Sequence, residues 1–328
     1  MRKILFVELL GGLGDLVMAL PAIHALALSH PEAELTVLTF APGVELLAAD
    51  PLVRRALTAE RGDAAHPERP RQAVEALLRA ESFDLLVSDT TYGGIGPLLE
   101  STGARAVANL WRHPPPDALI EERFLHILHQ EGLIRPWTLD LKPRLALSPD
   151  DRIWAAARYQ RPGRRALLHP HAGMPIKTWP AERFIALGQA LRDECGLEII
   201  VAAGNTPAEA AVARRIVRAL GPWTELLPGV SLRRFAAAAS CMDLVVGSDT
   251  GPVRVAAAVG ARTTGLFGPT WHGRSTSTGR AARNAPCATS PISPARLVGM
   301  GALAPVTRGA PAWRISASAM CWRARSPS

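Results

Sequence analysis

Short apolar runs alternate along most of the chain with longer stretches of helical period. "KILFVEL" (3–9), "ELTVLTF" (34–40) and "DLLVSDT" (84–90) have the length and composition of buried strands. Around them, 15–29, 43–49, 71–81 and 119–132 carry helical patterns, while "ERGDAAHPERP" (60–70) and the glycine-rich 93–96 read as loops. The pattern pauses over 133–150, where three prolines and weak periodicity indicate a linker. It then restarts, with strands at 165–170, 197–204, 243–249 and 262–268 and helices at 180–194, 206–219, 232–240 and 252–259. Such alternation predicts parallel sheets with helices on both faces. The expected fold class is α/β: two Rossmann-like domains, 1–140 and 141–270, facing a ligand cleft.

Beyond residue 270 the pattern fails. The segment 271–328 is rich in Ala, Arg, Pro, Ser and Gly and lacks the periodicity of a helix or strand, so an irregular tail is expected. It is either a natural disordered basic tail or an out-of-frame reading of a GC-rich gene, the reading its composition favours. An intact frame around Thr270 in independent reads of the coding DNA would exclude the second.

Composition changes this picture in two places. The net charge of +8 suggests a nucleic-acid partner until its location is read. Eight of the 37 basic residues and none of the 29 acidic ones lie in 271–328, so the first 270 residues are balanced. A nucleic-acid binder would depend wholly on the tail. Residues 1–27 imitate a signal peptide, but Glu8 and Asp15 interrupt the apolar run, and a strand entering a glycine turn accounts for it better. With 48% apolar and 20% charged residues, no run long enough to span a bilayer and four cysteines without CxxC spacing, the chain reads as a cytoplasmic globular protein.

Three segments carry candidate chemistry. In "GGLGD" (11–15), Gly12 and Gly14 permit a tight turn at a strand's carboxyl end, and Asp15 is either a helix cap or a catalytic base. The turn does not match GxGxxG, and no acid ends the next strand, which argues against a dinucleotide-dependent oxidoreductase. In "HPHAGMPIKTWPAERF" (169–184), Gly173 and Lys177 lie in a loop after a strand, where a lysine meets a phosphate or is simply solvated; Trp179 reads as core. In "GSDTGPVRVAAAVG" (247–260), Asp249, Thr250 and Gly251 precede a small-residue helix whose N-terminus suits a diphosphate, the alternative being a capping box with no ligand. Glu209, after the strand at 197–204, is a candidate reader of a nucleotide's ribose or base, or else a solvated first-turn residue.

In order and spacing, "GLGDLVMALPAIHAL", "KTWPAERF" and "SDTGPVRVAAAVG" followed by "GLFGPT" resemble glycosyltransferase family 9, the lipopolysaccharide heptosyltransferases, over roughly residues 1–270. The resemblance implies a GT-B fold, the first domain binding the acceptor and the second a nucleotide-sugar donor. It implies Asp15 as general base, Lys177 facing the donor phosphates, and Asp249, Thr250 and Gly251 holding the diphosphate. The implied reaction is an inverting transfer of a sugar, heptose from ADP-heptose, to a lipid-linked lipopolysaccharide-core or related glycan, at the cytoplasmic face of the inner membrane. No cofactor is expected, and the lack of any Asp-x-Asp pair argues against a metal. Three positions depart from the family pattern: Arg254 stands where a His is common, Glu8 where a basic residue is usual, and the tail replaces the closing strand and helix. An arginine at 254 still offers bidentate phosphate contacts. The rival reading is a catalytically inactive nucleotide-binding relic or scaffold of the same fold.

Overall fold

The computed structural model describes residues 1–112 and 119–267, with the backbone of 296–299. These residues form two compact units that divide at Ser148 and Pro149. The first contains β1 (Lys3–Val7), α1 (Leu13–Ser29), β2 (Glu34–Phe40), α2 (Ala41–Leu47), β3 (Arg55–Ala59), α3 (Arg69–Ala80), β4 (Leu85–Ser88), α4 (Ile95–Glu100), β5 (Arg105–Val107) and α5 (Ile120–Gln130). Its strands are all parallel, in the order β3-β2-β1-β4-β5. β1 and β4 are buried on both faces, which is why they read as unbroken apolar runs.

The second unit contains α6 (Pro149–Tyr159), β6 (Arg164–His169), α7 (Ala181–Cys195), β7 (Leu197–Ala202), α8 (Pro207–Leu220), β8 (Thr224–Leu227), α9 (Leu232–Ser240), β9 (Leu244–Ser248), α10 (Gly251–Ala258) and β10 (Thr263–Phe267). Its parallel strands run β8-β7-β6-β9-β10, the same order as in the first unit. Leu168, Ile199, Val201 and Val246 from the sheet pack with Phe184, Leu187, Leu191 and Ile216 from α7 and α8. Each such side chain contributes about 1.5–3 kcal/mol on full burial. Trp179 is buried here against the edge of Phe184, as expected of a core residue.

Several elements differ from the sequence expectation. β3, β5 and β8 ("RALTA", "RAV", "TELL") were not expected: they are short, lie at the sheet edges, and carry charged residues that hide the strand pattern. α6 begins inside the stretch read as linker, because its buried face is only Asp151, Ala155 and Tyr159. The glycine-rich loop at 93–96 is partly helix: Gly93 and Gly94, at φ +60° and +74°, form the turn and α4 starts at Ile95. In the tail, 296–299 is strand β11 (Arg296–Gly299), antiparallel to β10, where no strand was expected; the rest of 271–328 lies outside the described residues. Among the described residues no helix is long and apolar enough to cross a membrane.

Candidate functional site

In an open parallel sheet, ligand chemistry collects at the carboxyl ends of the central strands. In the second unit those strands are β6 and β9. β9 ends in Ser248, and the chain passes through Asp249 and Thr250 into α10. Asp249 N–H donates to Leu266 O of β10 at 2.9 Å, which fixes the strand end. A residue larger than glycine at 247 would press on the His169 carbonyl and Val253, so strand and helix pack this closely only with Gly247.

Lys177 closes a single 3-10 turn, Pro175–Lys177, after β6. The turn is anchored where Trp179 N–H donates to Ser248 Oγ at 3.3 Å. The Lys177 ammonium donates to Asp249 Oδ2 at 3.0 Å. Arg254, buried in the first turn of α10, approaches Asp249 Oδ1 to 3.6 Å. Residues 72 and 77 positions beyond Lys177 thus meet it in one cluster of two cations and one anion. Thr250 occupies the N-cap position of α10 without a side-chain capping bond. The cluster carries a net positive charge beside a helix N-terminus, a setting that favours an anion.

The other expected donor residues are placed differently. Gly173 is exposed, with open space around its Cβ position, so none of the described residues requires glycine there. Glu209 lies in the first turn of α8, where its carboxylate accepts from the Thr206 N–H and hydroxyl while Thr206 Oγ1 accepts from Glu209 N–H. Burial opposes its ionisation, but these bonds and the nearby His171 and His169 rings hold its carboxyl below the usual range. A side chain at Gly204 would strike Glu209, so the glutamate is packed against the loop after β7. Two buried histidines, which sequence reasoning did not assign, lie here: His169 ends the central strand and His171 follows two residues beyond it. Burial lowers His169 to about 4, with His171 adding to the effect, and lowers His171 as well, whose Nε2 lies 3.1 Å from Ala202 O.

In the first unit the central strands are β1 and β4. α1 starts at Leu13, two residues before the expected point, so the N-cap is Gly12 and Asp15 is the third helical residue. Asp15 therefore does not cap as an N-cap residue; its Oδ2 instead accepts from Gly12 N–H, and the side chain remains partly exposed. Gly14 lies in the first turn of the same helix.

Three further groups surround this turn that sequence reasoning did not assign. Glu8, directly after β1, is buried; its Oε2 accepts from the Thr39 hydroxyl of β2. Asp89, directly after β4, accepts from Leu9 N–H at 3.2 Å. Arg61, in the loop after β3, donates to Gly11 O and lies 3.9 Å from the centre of the Phe40 ring. Burial drives the Glu8 carboxyl well above its usual range, with the charges of Asp89 and Asp15 adding and the Thr39 hydrogen bond and Arg61 opposing. Burial likewise pushes Asp89 up to about 8, against hydrogen bonds from Leu9 and Leu10 and with the charge of Asp15 adding. The available sequence signal was position alone: each acid directly follows a central strand.

A family model described as glycosyltransferase family 9 (heptosyltransferase) matches residues 100–295. Lipopolysaccharide heptosyltransferase 3 of Escherichia coli is 24% identical over 278 residues, covering 79% of this chain and 82% of the relative. Among solved structures, a glycosyl transferase family 9 protein from Veillonella parvula DSM 2008 aligns with a TM-score of 0.70 at 17% identity, covering 83% and 82% of the two chains. ADP-heptose lps heptosyltransferase II of E. coli aligns with a TM-score of 0.64 at 21% identity, covering 85% of this chain and 88% of that one. The likeness shows the fold: two Rossmann-like α/β units of the GT-B class.

Proposed function

The chain belongs to glycosyltransferase family 9, and from that membership we propose that it transfers a sugar, heptose from ADP-heptose, to a lipopolysaccharide-core or related lipid-linked glycan with inversion and without a metal. The observation that carries the donor half of this reading is the Lys177–Asp249–Arg254 cluster at the start of α10. Asp249 holds the ammonium of Lys177 beside the helix N-terminus, and a lysine has further N–H donors for a phosphate oxygen. As the glycosidic bond to the leaving nucleotide breaks, negative charge grows on the diphosphate. Lys177, Arg254 and the backbone at Thr250 and Gly251 receive it without rearranging, the kind of preorganisation that lowers a barrier most.

Asp15 supplies the other half. An acceptor hydroxyl is a weak nucleophile at neutral pH, so a carboxylate must take its proton as the oxygen attacks the anomeric carbon. Asp15 is partly exposed, and its bond to Gly12 N–H engages Oδ2. A one-step displacement on the face opposite the leaving group inverts the anomeric configuration. Glu209 serves the donor less directly: its carboxylate is committed to Thr206, and its part is to shape the loop after β7. A lipid-linked acceptor implies peripheral contact with the inner membrane from the cytoplasmic side.

The test is calorimetric titration with ADP, with UDP and GDP as controls, followed by transfer from ADP-heptose with and without EDTA. Selective ADP binding and undiminished transfer in EDTA support the reading. Complete loss of transfer in EDTA overturns metal independence, and selective UDP or GDP binding moves the donor elsewhere. ADP binding without any transfer, unaltered by Asp15→Ala, favours the inactive relic or scaffold.

A further inference from the structure

The backbone from Leu9 to Gly12 is held by charged side chains at consecutive residues. Asp89 takes the N–H groups of Leu9 and Leu10, Arg61 donates to the Gly11 carbonyl, and Asp15 takes the Gly12 N–H. Glu8 lies at the root of this turn. Its Oε2 accepts from the Thr39 hydroxyl of β2, and the charges of Asp89 at the end of β4, Asp15 in α1 and Arg61 in the loop after β3 all act on it. Three carboxyl groups therefore share one turn, and Arg61 is the cation that opposes the charge of Glu8.

The hydrogen bonds sort these carboxyls. Peptide N–H donors favour the charged form of Asp89. Glu8 Oε1 is fully buried and has no hydrogen-bond partner among the described residues, so no donor there favours an ionised Glu8. A buried, ionised carboxylate with a bare oxygen is costly, and a proton on that oxygen removes the cost.

We propose that Glu8 is a positioning residue for Asp15, sharing a retained proton with Asp89 so that Arg61 balances the charge of the glycine turn. This rests on the assignment of Asp15 as base. The retained proton keeps Glu8 and Asp89 from repelling each other and Asp15, and so holds the carboxylate of Asp15 in its place at the head of α1. Release of the proton to solvent at alkaline pH sets two buried negative charges beside the base. The turn then yields, and transfer slows with no change in donor binding.

Two measurements on the full chain test this, using wild type, Glu8→Gln, Asp89→Asn and Asp15→Ala. The first is the unfolding equilibrium between pH 6.5 and 8. One retained proton makes wild type lose stability as pH rises, about tenfold in the folding constant per pH unit. Glu8→Gln and Asp89→Asn should each flatten that loss. The second is transfer from ADP-heptose to a lipid A–core acceptor between pH 7 and 9. Wild-type kcat should fall across this range, Glu8→Gln should flatten the fall, and KM for ADP-heptose should stay constant in both. Thr39→Val, which removes the donor favouring ionised Glu8, should shift the fall to higher pH. An unchanged stability slope in both carboxyl variants overturns the proposal, as does an unchanged kcat profile in Glu8→Gln when Asp15→Ala is inactive. Transfer undiminished by Asp15→Ala overturns the base assignment itself, a distinct outcome that removes Glu8's role in transfer while the stability slope still reports the proton.

Discussion

The tripeptide Ser-Asp-Thr occurs twice at the same place in the two units, as Ser88-Asp89-Thr90 after β4 and Ser248-Asp249-Thr250 after β9. Both strands lie immediately beside the central strand of a sheet with the same order. The two aspartates nevertheless sit in opposite electrostatic settings. Asp249 has a lysine at 3.0 Å and an arginine at 3.6 Å. Asp89 has peptide N–H donors and acidic neighbours, and burial pushes it up to about 8. The serines diverge as well: Ser248 Oγ accepts from Trp179 N–H and so anchors the loop carrying Lys177, whereas Ser88 Oγ donates to Thr90 O in its own turn. A strand end in this topology is only a location. The loop delivered to it decides whether its acid orients a cation or stores a proton.

The sharpest way to break this contrast is at the chemistry itself. Asp15→Ala should lower kcat by about 10²–10⁴-fold, the usual contribution of a positioned general base, and leave ADP affinity from calorimetry near that of wild type. Next in size is the paired aspartate. Asp249→Asn deprives Lys177 and Arg254 of their shared anion and should lower stability by about 2–3 kcal/mol in denaturant titration. Asp89→Asn should instead stabilise the chain above pH 8. The same aspartate-to-asparagine change then has opposite signs in the two units.

Lys177→Ala should weaken ADP by about 10–100-fold, the range for losing charge-assisted hydrogen bonds, with kcat falling as well because the contact strengthens in the transition state. A smaller contrast lies in the pH dependence of unfolding. His169, lowered to about 4, binds fewer protons folded than unfolded. Its contribution to stability is present above the unfolded value, about 6.5, and is lost as pH falls towards 4, at up to about 1.4 kcal/mol per pH unit. Asp89, raised to about 8, runs the other way: its contribution is full below the unfolded carboxylate value and is lost as pH rises through 8. Between pH 4 and 6.5 the two slopes oppose each other; above 6.5 only the carboxyl slope remains. His169→Gln, followed by unfolding at pH 5, should remove the acid-side loss. Smallest should be Ser88→Ala and Ser248→Ala, each about 1 kcal/mol in stability, with ADP affinity reduced in Ser248→Ala alone.

Hydrophobic patterning identified the central strands and most of the helices because burial on both faces leaves no freedom in residue choice. β1, β2, β4, β6, β7, β9 and β10 are legible for that reason. "TELL" and "RAV" are not, since a strand towards the edge tolerates charge and its pairing depends on a distant neighbour. The three segments that carry candidate chemistry were legible because each places glycine or a small residue between a strand and a helix. The resemblance set Lys177, Asp249 and Arg254 on one donor, but the ion pairs among them were not legible: they come from two loops and a helix, and their approach depends on β6 pairing with β9 and on Gly247 letting α10 pack closely.

The start of α1 shows the same division. The sequence alone determined that a glycine turn with an acid follows the first strand. Tertiary structure decided that the helix begins at Leu13, which turns Asp15 from an N-cap into a third-position residue bonded to Gly12 N–H. Glu8 and Asp89 looked like ordinary acids in the sequence, because a charge becomes costly only when the fold removes its water. The order of elements and the residues able to do chemistry are thus fixed locally by period and turn composition. Which acids keep a proton, and which hold a cation, depends on distant segments and on burial, quantities that exist only once the chain has folded.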